Sequence, residues 1–208
     1  MVFKKLELDE NILRALHILG FTEATEIQQK ALPEVLKGKD VIVQSMTGSG
    51  KTAVFAIQAL QKVNKSDGVQ VLIIAPTREL AEQIAEHTQK IGRFTGINVC
   101  RIYGGVSMDP QTFNLRKAHI VVGTPGRLID HMRRGNLSLS NIKILVLDEA
   151  DRMLDMGFVE DIEQIIRPIG LYKTKAMRIK KKKKIIIEKR KRQSLLLCSV
   201  EQGLRQIL

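Results

Sequence analysis

Cysteine is scarce: 208 residues contain only Cys100 and Cys198, and they stand at no spacing that suits a zinc site or a dithiol redox motif. That excludes a disulfide-stapled miniprotein and implies a reduced, intracellular setting. Long apolar runs are missing as well. No segment approaches the roughly 20 apolar residues of a membrane span, and Met1-Val2-Phe3-Lys4-Lys5-Leu6-Glu7 lacks the apolar core of a secretory leader. A cytoplasmic protein with no membrane partner is expected.

Apolar residues make up 44% of the chain, enough to bury one main core. The formal charge of +12 looks like a nucleic-acid footprint until it is located along the chain. Residues 1 to 170 carry 21 Lys/Arg against 20 Asp/Glu, whereas residues 171 to 208 carry 13 against 2. The basicity therefore belongs to the end of the chain. There Lys180 to Lys184 and Ile185-Ile186-Ile187 form low-complexity runs, and composition places a boundary near Pro168-Ile169-Gly170. Residues 1–170 read as the folded domain and 171–208 as an irregular or degenerate basic tail.

Short apolar runs alternate with longer helical patterns in the folded part, as in an α/β protein with an open, mainly parallel sheet covered by helices on both faces. Strands are predicted over 41–44, 69–75, 98–103, 119–123 and 144–147. Helices are predicted over 52–63, 78–95, 111–116 and 127–134, with two more over 9–19 and 25–36 before the first strand.

Two segments carry the chemistry. Val41-Ile42-Val43 runs through Thr47-Gly48-Ser49-Gly50-Lys51-Thr52 into an apolar-faced helix, the setting of a phosphate-binding loop. Gly48 and Gly50 let backbone N–H groups approach a polyphosphate, Lys51 would reach its outer phosphates, and Thr52 would hold Mg²⁺. Ser45 stands where G-x-x-x-x-G-K-S/T begins with glycine, and an ordinary glycine turn is the competing reading. Ile144 to Leu147 ends in Asp148-Glu149-Ala150-Asp151, which puts carboxylates at a strand's carboxyl end, where open sheets bind ligands. Asp148 suits a metal and Glu149 an attacking water, although acidic residues there also serve as helix caps.

Together these motifs resemble the DEAD-box family of ATP-dependent RNA helicases. Gly20-Phe21, Ile27-Gln28, Pro76-Thr77-Arg78-Glu79-Leu80-Ala81, Gly104-Gly105 and Thr124-Pro125-Gly126-Arg127 follow in that family's order. The resemblance covers roughly residues 3 to 170 and implies the first of two RecA-like domains. It implies ATP and Mg²⁺ as cofactors, with Lys51, Asp148 and Glu149 catalytic and Thr52 and Asp148 on the metal. Phe3, Phe21, Gln28, Thr47, Gly48, Ser49, Gly50, Lys51 and Thr52 would contact the nucleotide, Gln28 by pairing its amide with adenine and Phe3 by stacking. Pro76, Thr77, Arg78, Gly104, Gly105, Thr124, Pro125, Gly126 and Arg127 would line a track for the RNA sugar-phosphate backbone.

The sequence also departs from the pattern. Ala24 and Glu26 replace prolines of the adenine segment, and Ser45 replaces a residue that is commonly alanine. The family's Ser-Ala-Thr segment is matched only at Ser199, within Leu195-Leu196-Leu197-Cys198-Ser199-Val200-Glu201. No second RecA-like domain with its arginine fingers is recognisable, so such a domain would act in trans. A truncated RNA- or partner-binding module without turnover is the alternative, and a P-loop ATPase acting on DNA or protein is a third reading. The lysine-rich tail would be an unspecific RNA tether or a by-product of truncation.

Overall fold

The computed structural model describes residues 3–45 and 48–169, together with the backbone of 194–198. A 3-10 turn at Phe3–Leu6 leads to α1 (Glu10–Ile18) and α2 (Glu26–Leu36). Strand and helix then alternate: β1 (Val41–Val43), α3 (Lys51–Lys62), β2 (Val71–Ile74), α4 (Arg78–Ile91), β3 (Val99–Ile102), α5 (Met108–Leu115), β4 (Ile120–Gly123), α6 (Pro125–Arg133) and β5 (Ile144–Asp148). Two short helices, α7 (Ala150–Asp155) and α8 (Val159–Ile166), precede the last described strand, β6 (Ser194–Cys198).

Local chemistry starts most helices where the punctuation predicts. The Thr25 hydroxyl and the Gln28 side chain form a reciprocal capping box on α2. Asp9, Thr77 and Ser107 cap α1, α4 and α5 through their side chains, and Pro125 opens α6 with a φ already suited to a first turn.

All pairings in the six-stranded sheet are parallel, in the order β1-β6-β5-β2-β4-β3. Strands β2, β4 and β5 are buried along their whole length, as their unbroken Val/Ile/Leu runs require, while the edge strands β1 and β3 are partly exposed. Alternate residues divide the core. Val71, Ile73, Val122 and Val146 join the layer under α1 to α4, whereas Leu72, Ile74, Val121 and Leu147 face Leu128, Met153, Ile162 and Ile166 of α6 to α8.

The structure differs from the sequence reading after residue 148. Helices α7 and α8 were not expected, although Ile162, Ile165 and Ile166 show the helical spacing of a buried face. Strand β6 lies in the segment that composition sets apart as tail. It is interior to the sheet, registering Val43 with Cys198 on one side and Asp148 with Cys198 on the other. The change of composition at Gly170 is thus not the end of the sheet. The rest of that segment, including the lysine run and Ser199, lies outside the described residues.

Candidate active site and nucleic-acid interface

In an all-parallel sheet every strand ends on the same edge, so motifs scattered over a hundred residues meet there. The strand order sorts them into two groups. Loops after β1 and β5 flank β6 and hold the phosphate-loop and carboxylate motifs, while loops after β2, β4 and β3 hold the Thr77-Arg78, Thr124 to Arg127 and Gly104-Gly105 segments. Adjacent β5 and β2 join the two groups.

The phosphate loop turns through two left-handed glycines, Gly48 at φ 81° and Gly50 at φ 93°, and Gly50 caps α3. A side chain at Gly50 would also run into the Gln28 amide, so glycine is required there for space as well as conformation. Lys51 is only 8% exposed, and its ammonium donates to the Ser45 carbonyl at 2.5 Å. Ser45, at the position that departs from the motif, has its hydroxyl 2.6 Å from that of Ser49 and so closes the loop on itself. Thr47 lies outside the described residues. Thr52 sits in the first turn of α3, half-buried beside Lys51.

Gln28 is brought to this loop, but not with a free amide. It is 1% exposed, accepts from the Thr25 N–H at 3.0 Å and donates to the Gly50 carbonyl at 3.2 Å. Thr25 adds a second tie, donating to the Ser49 carbonyl at 2.9 Å. An amide can make four hydrogen bonds, so one N–H and one lone pair of Gln28 remain for a base edge. Phe3 is 3% exposed and stands edge-on to Phe21, with ring centroids 6.0 Å apart; Phe21 in turn lies 6.0 Å from the His87 ring. Phe3 is therefore a core residue here, and stacking on a base would require the Phe3–Leu6 turn to move.

Across β6, Asp148 is 5% exposed and accepts from the Glu149 N–H at 3.1 Å. Burial raises its pKa to about 7, and the Glu149 charge adds to the rise; the Glu149 N–H and the Lys51 ammonium oppose it. Glu149 has a left-handed backbone, φ 51°, unusual for a residue with a side chain, and its carboxylate is held by Arg152 at 3.1 Å. The sequence reading passed over Arg152, although Glu-x-x-Arg at helical spacing was the available signal. Two adjacent carboxylates, one buried with a raised pKa, form a site that a divalent cation would complete. No cluster of three His, Cys, Asp or Glu side chains suited to a metal occurs among the described residues. Phosphate oxygens and water would have to supply the remaining ligands, as is usual for Mg²⁺.

This environment sets a pH dependence for stability. The Asp148 carboxyl titrates near 7 when folded and near 3.8 when unfolded. The folded state therefore binds more protons between those values, and the cost of the buried charge is complete above pH 7 and fades as pH falls toward 4. Without nucleotide or metal, Asp148→Asn is expected to be more stable than the parent by about 2 to 4 kcal/mol at pH 8, with little difference near pH 4. Denaturant midpoints across that range test this, and a constant difference would contradict it.

In the second group, Thr77 uses its hydroxyl to cap α4, accepting from the Leu80 N–H at 3.3 Å. The Arg78 guanidinium lies 4.9 Å from the Tyr103 ring centroid and 3.8 Å from Glu82, which also accepts from the Tyr103 hydroxyl. Arg127 donates to the Val106 carbonyl at 3.0 Å and lies 3.9 Å from Asp130. These contacts bring Arg78, Gly104, Gly105 and Arg127 to one surface. Gly123 makes that approach possible, since a side chain there would meet the Ile102 carbonyl and stand 3.0 Å from Leu128. Thr124 caps α6 through its backbone and leaves its hydroxyl out of the cap; Gly126 is exposed. Pro76 and Pro125 are buried. Gln111, unmarked by any motif, holds the glycine loop by accepting from the Tyr103 N–H and donating to the Tyr103 and Ser107 carbonyls at 3.1 to 3.2 Å. The N-termini of α4 and α6 both open on this surface, which suits it to phosphate.

No helix among the described residues is long and apolar enough to cross a membrane. The DEAD/DEAH box helicase family matches residues 25–198. The DEAD-box ATP-dependent RNA helicase CshA of Geobacillus kaustophilus is 50% identical over 166 residues, which are 79% of this chain and 36% of that protein. The crystal structure of a DEAD box protein from Methanococcus jannaschii superposes with a TM-score of 0.82 at 39% identity, over 97% of this chain and 50% of that one. A hypothetical ATP-dependent RNA helicase of Sulfolobus tokodaii gives 0.76 at 38% identity, covering 92% and 50% of the two chains. The chain thus spans between about a third and a half of the length of these relatives. The match extends through β6, and it includes Asp148-Glu149-Ala150-Asp151 facing the phosphate loop across that strand: the chain belongs to the DEAD/DEAH box helicase family.

Proposed function

We propose that this chain is the ATP- and RNA-binding half of an RNA-remodelling ATPase of the cytoplasm, completed by a second RecA-like domain. The observation that carries the proposal is the placement of the Gly48 to Thr52 loop and the buried Asp148 on either side of β6, with Lys51 close enough to oppose the rise in the Asp148 pKa. In this reading the N–H groups of the loop and of the first turn of α3 bind the polyphosphate, and Lys51 leaves the Ser45 carbonyl for the outer phosphates. Thr52 and Asp148 would hold Mg²⁺, whose charge stabilises the ionised carboxyl and the phosphates together. Glu149, aimed by its left-handed backbone and by Arg152, would position the attacking water. Gln28 would offer its remaining N–H and lone pair to adenine while staying tied to Gly50.

Thr77, Arg78, Gly105, Thr124 and Arg127 would bind the RNA backbone. Hydroxyls, guanidinium forks and helix N-termini contact phosphate and sugar without reading bases, so binding is expected to be indifferent to sequence. Replacing Lys51 with Ala is expected to weaken ATP binding at least about tenfold, because its ammonium is the loop's only charged side chain. Calorimetric titration with Mg-ATP tests the proposal, and equal affinities in the two proteins would remove it.

A further inference from the structure

The backbone track accounts for the loops after β2, β3 and β4 but not for the helix that follows Gly104-Gly105. Helix α5 carries Phe113, 59% exposed, with the Lys117 ammonium 5.5 Å from its ring centroid. Arg116, also exposed, lies on the same side of the helix and makes no ion pair among the described residues. Val106, 38% exposed, begins this segment, and its carbonyl is the group that Arg127 grips. Phe113 stands seven residues beyond Val106, five of them along α5 from Met108, or on the order of 7 Å of helix. Asn136 fixes the outer side of α5 by donating to Thr112 at 3.3 Å.

A protein-docking hot spot would sit in a wider apolar surround, whereas three of the four helix neighbours of Phe113 are the charged Asp109, Arg116 and Lys117, with Pro110 the fourth. One open aromatic surface beside two cations is what a single-stranded nucleic acid uses, a base on the ring and phosphates on the cations. We infer that Phe113, with Arg116 and Lys117, is a base-stacking platform that receives single-stranded RNA after it leaves the backbone track at Gly104-Gly105. The inference rests on the proposal that the track binds RNA, and it adds a contact reached only by strands longer than the track.

The test uses the full chain at physiological salt, with fluorescently labelled oligouridines of about 5 and about 15 nucleotides, within the usual span of single-strand sites. Phe113→Ala is expected to weaken the long strand roughly fivefold, the low end for one stacked base, and to leave the short one unchanged. Phe113→Trp should restore the long-strand affinity, and Lys117→Ala should lower its salt dependence by about one phosphate contact. Unchanged long-strand affinity in Phe113→Ala would overturn the inference, as it would if the face serves a protein instead. Equal weakening of both lengths would overturn it too, by showing a general loss of binding. Arg127→Ala separates the two readings. If it leaves both lengths unaffected while Phe113→Ala weakens the long strand, the track fails, and with it the delivery of RNA from Gly104-Gly105, while the stacking contact at Phe113 is retained.

Discussion

A chain ending at Gly170 is expected not to fold, even though composition makes that residue look like a domain boundary. Strand β6 lies between β1 and β5, and among the described residues β1 pairs with no other strand. Removing β6 would leave β1 unpaired and open the buried edge of β5, returning two ladders of backbone groups to water and detaching the phosphate loop from the sheet. The loss is comparable with the whole stability of a domain this size, about 5 to 15 kcal/mol. By contrast, deleting only Lys180 to Lys184 removes no residue of β6 or of its neighbouring strands and is expected to leave the cooperative transition in place. Thermal melts followed by circular dichroism separate the two variants. A cooperative transition in the 1–170 chain would show that β6 is dispensable.

Turnover should respond even more strongly to a partner. In the proposed site Asp148, Glu149 and Lys51 would position nucleotide and water, but these arginines of the described residues are committed: Arg152 to Glu149, Arg78 to Tyr103 and Glu82, Arg127 to the Val106 carbonyl. An arginine directed at the transferred phosphoryl group contributes about 10³ to 10⁵ in rate, or about 4 to 7 kcal/mol of barrier. The chain alone, saturated with RNA, is expected to release phosphate slowly. Mixing it with the second RecA-like domain of a complete relative should raise the rate by up to that factor. Rapid RNA-stimulated release by the chain alone, lost in Glu149→Gln, would show instead that it carries the missing charge itself.

The two predictions draw on different kinds of information. Sequence patterns were enough to place the phosphate loop, the carboxylates after β5 and the Thr/Arg/Gly loops, because each is a local requirement: a left-handed glycine, a helix N-terminus, a charge at a strand end. They also placed β1 to β5 within a residue or two, since buried parallel strands must be nearly continuous Val, Ile and Leu. The same local reasoning does not reach α8, and it reads Gln28 and Phe3 as nucleotide contacts only through the family resemblance. The folded chain commits the Gln28 amide to Thr25 and Gly50 and buries Phe3 against Phe21.

Periodicity, turn chemistry and the order of motifs, all properties of neighbours along the chain, determined that this is a parallel α/β domain with a glycine loop between its first strand and the helix that follows. Tertiary structure alone decided that β6 belongs inside the sheet, that the motifs divide between its two halves, and that Asp148 is buried deeply enough to titrate near 7. Those outcomes depend on which strands lie side by side and on how completely a side chain is removed from water. Neither is encoded in any one stretch of sequence, because both depend on residues that lie from tens to more than a hundred and fifty positions apart.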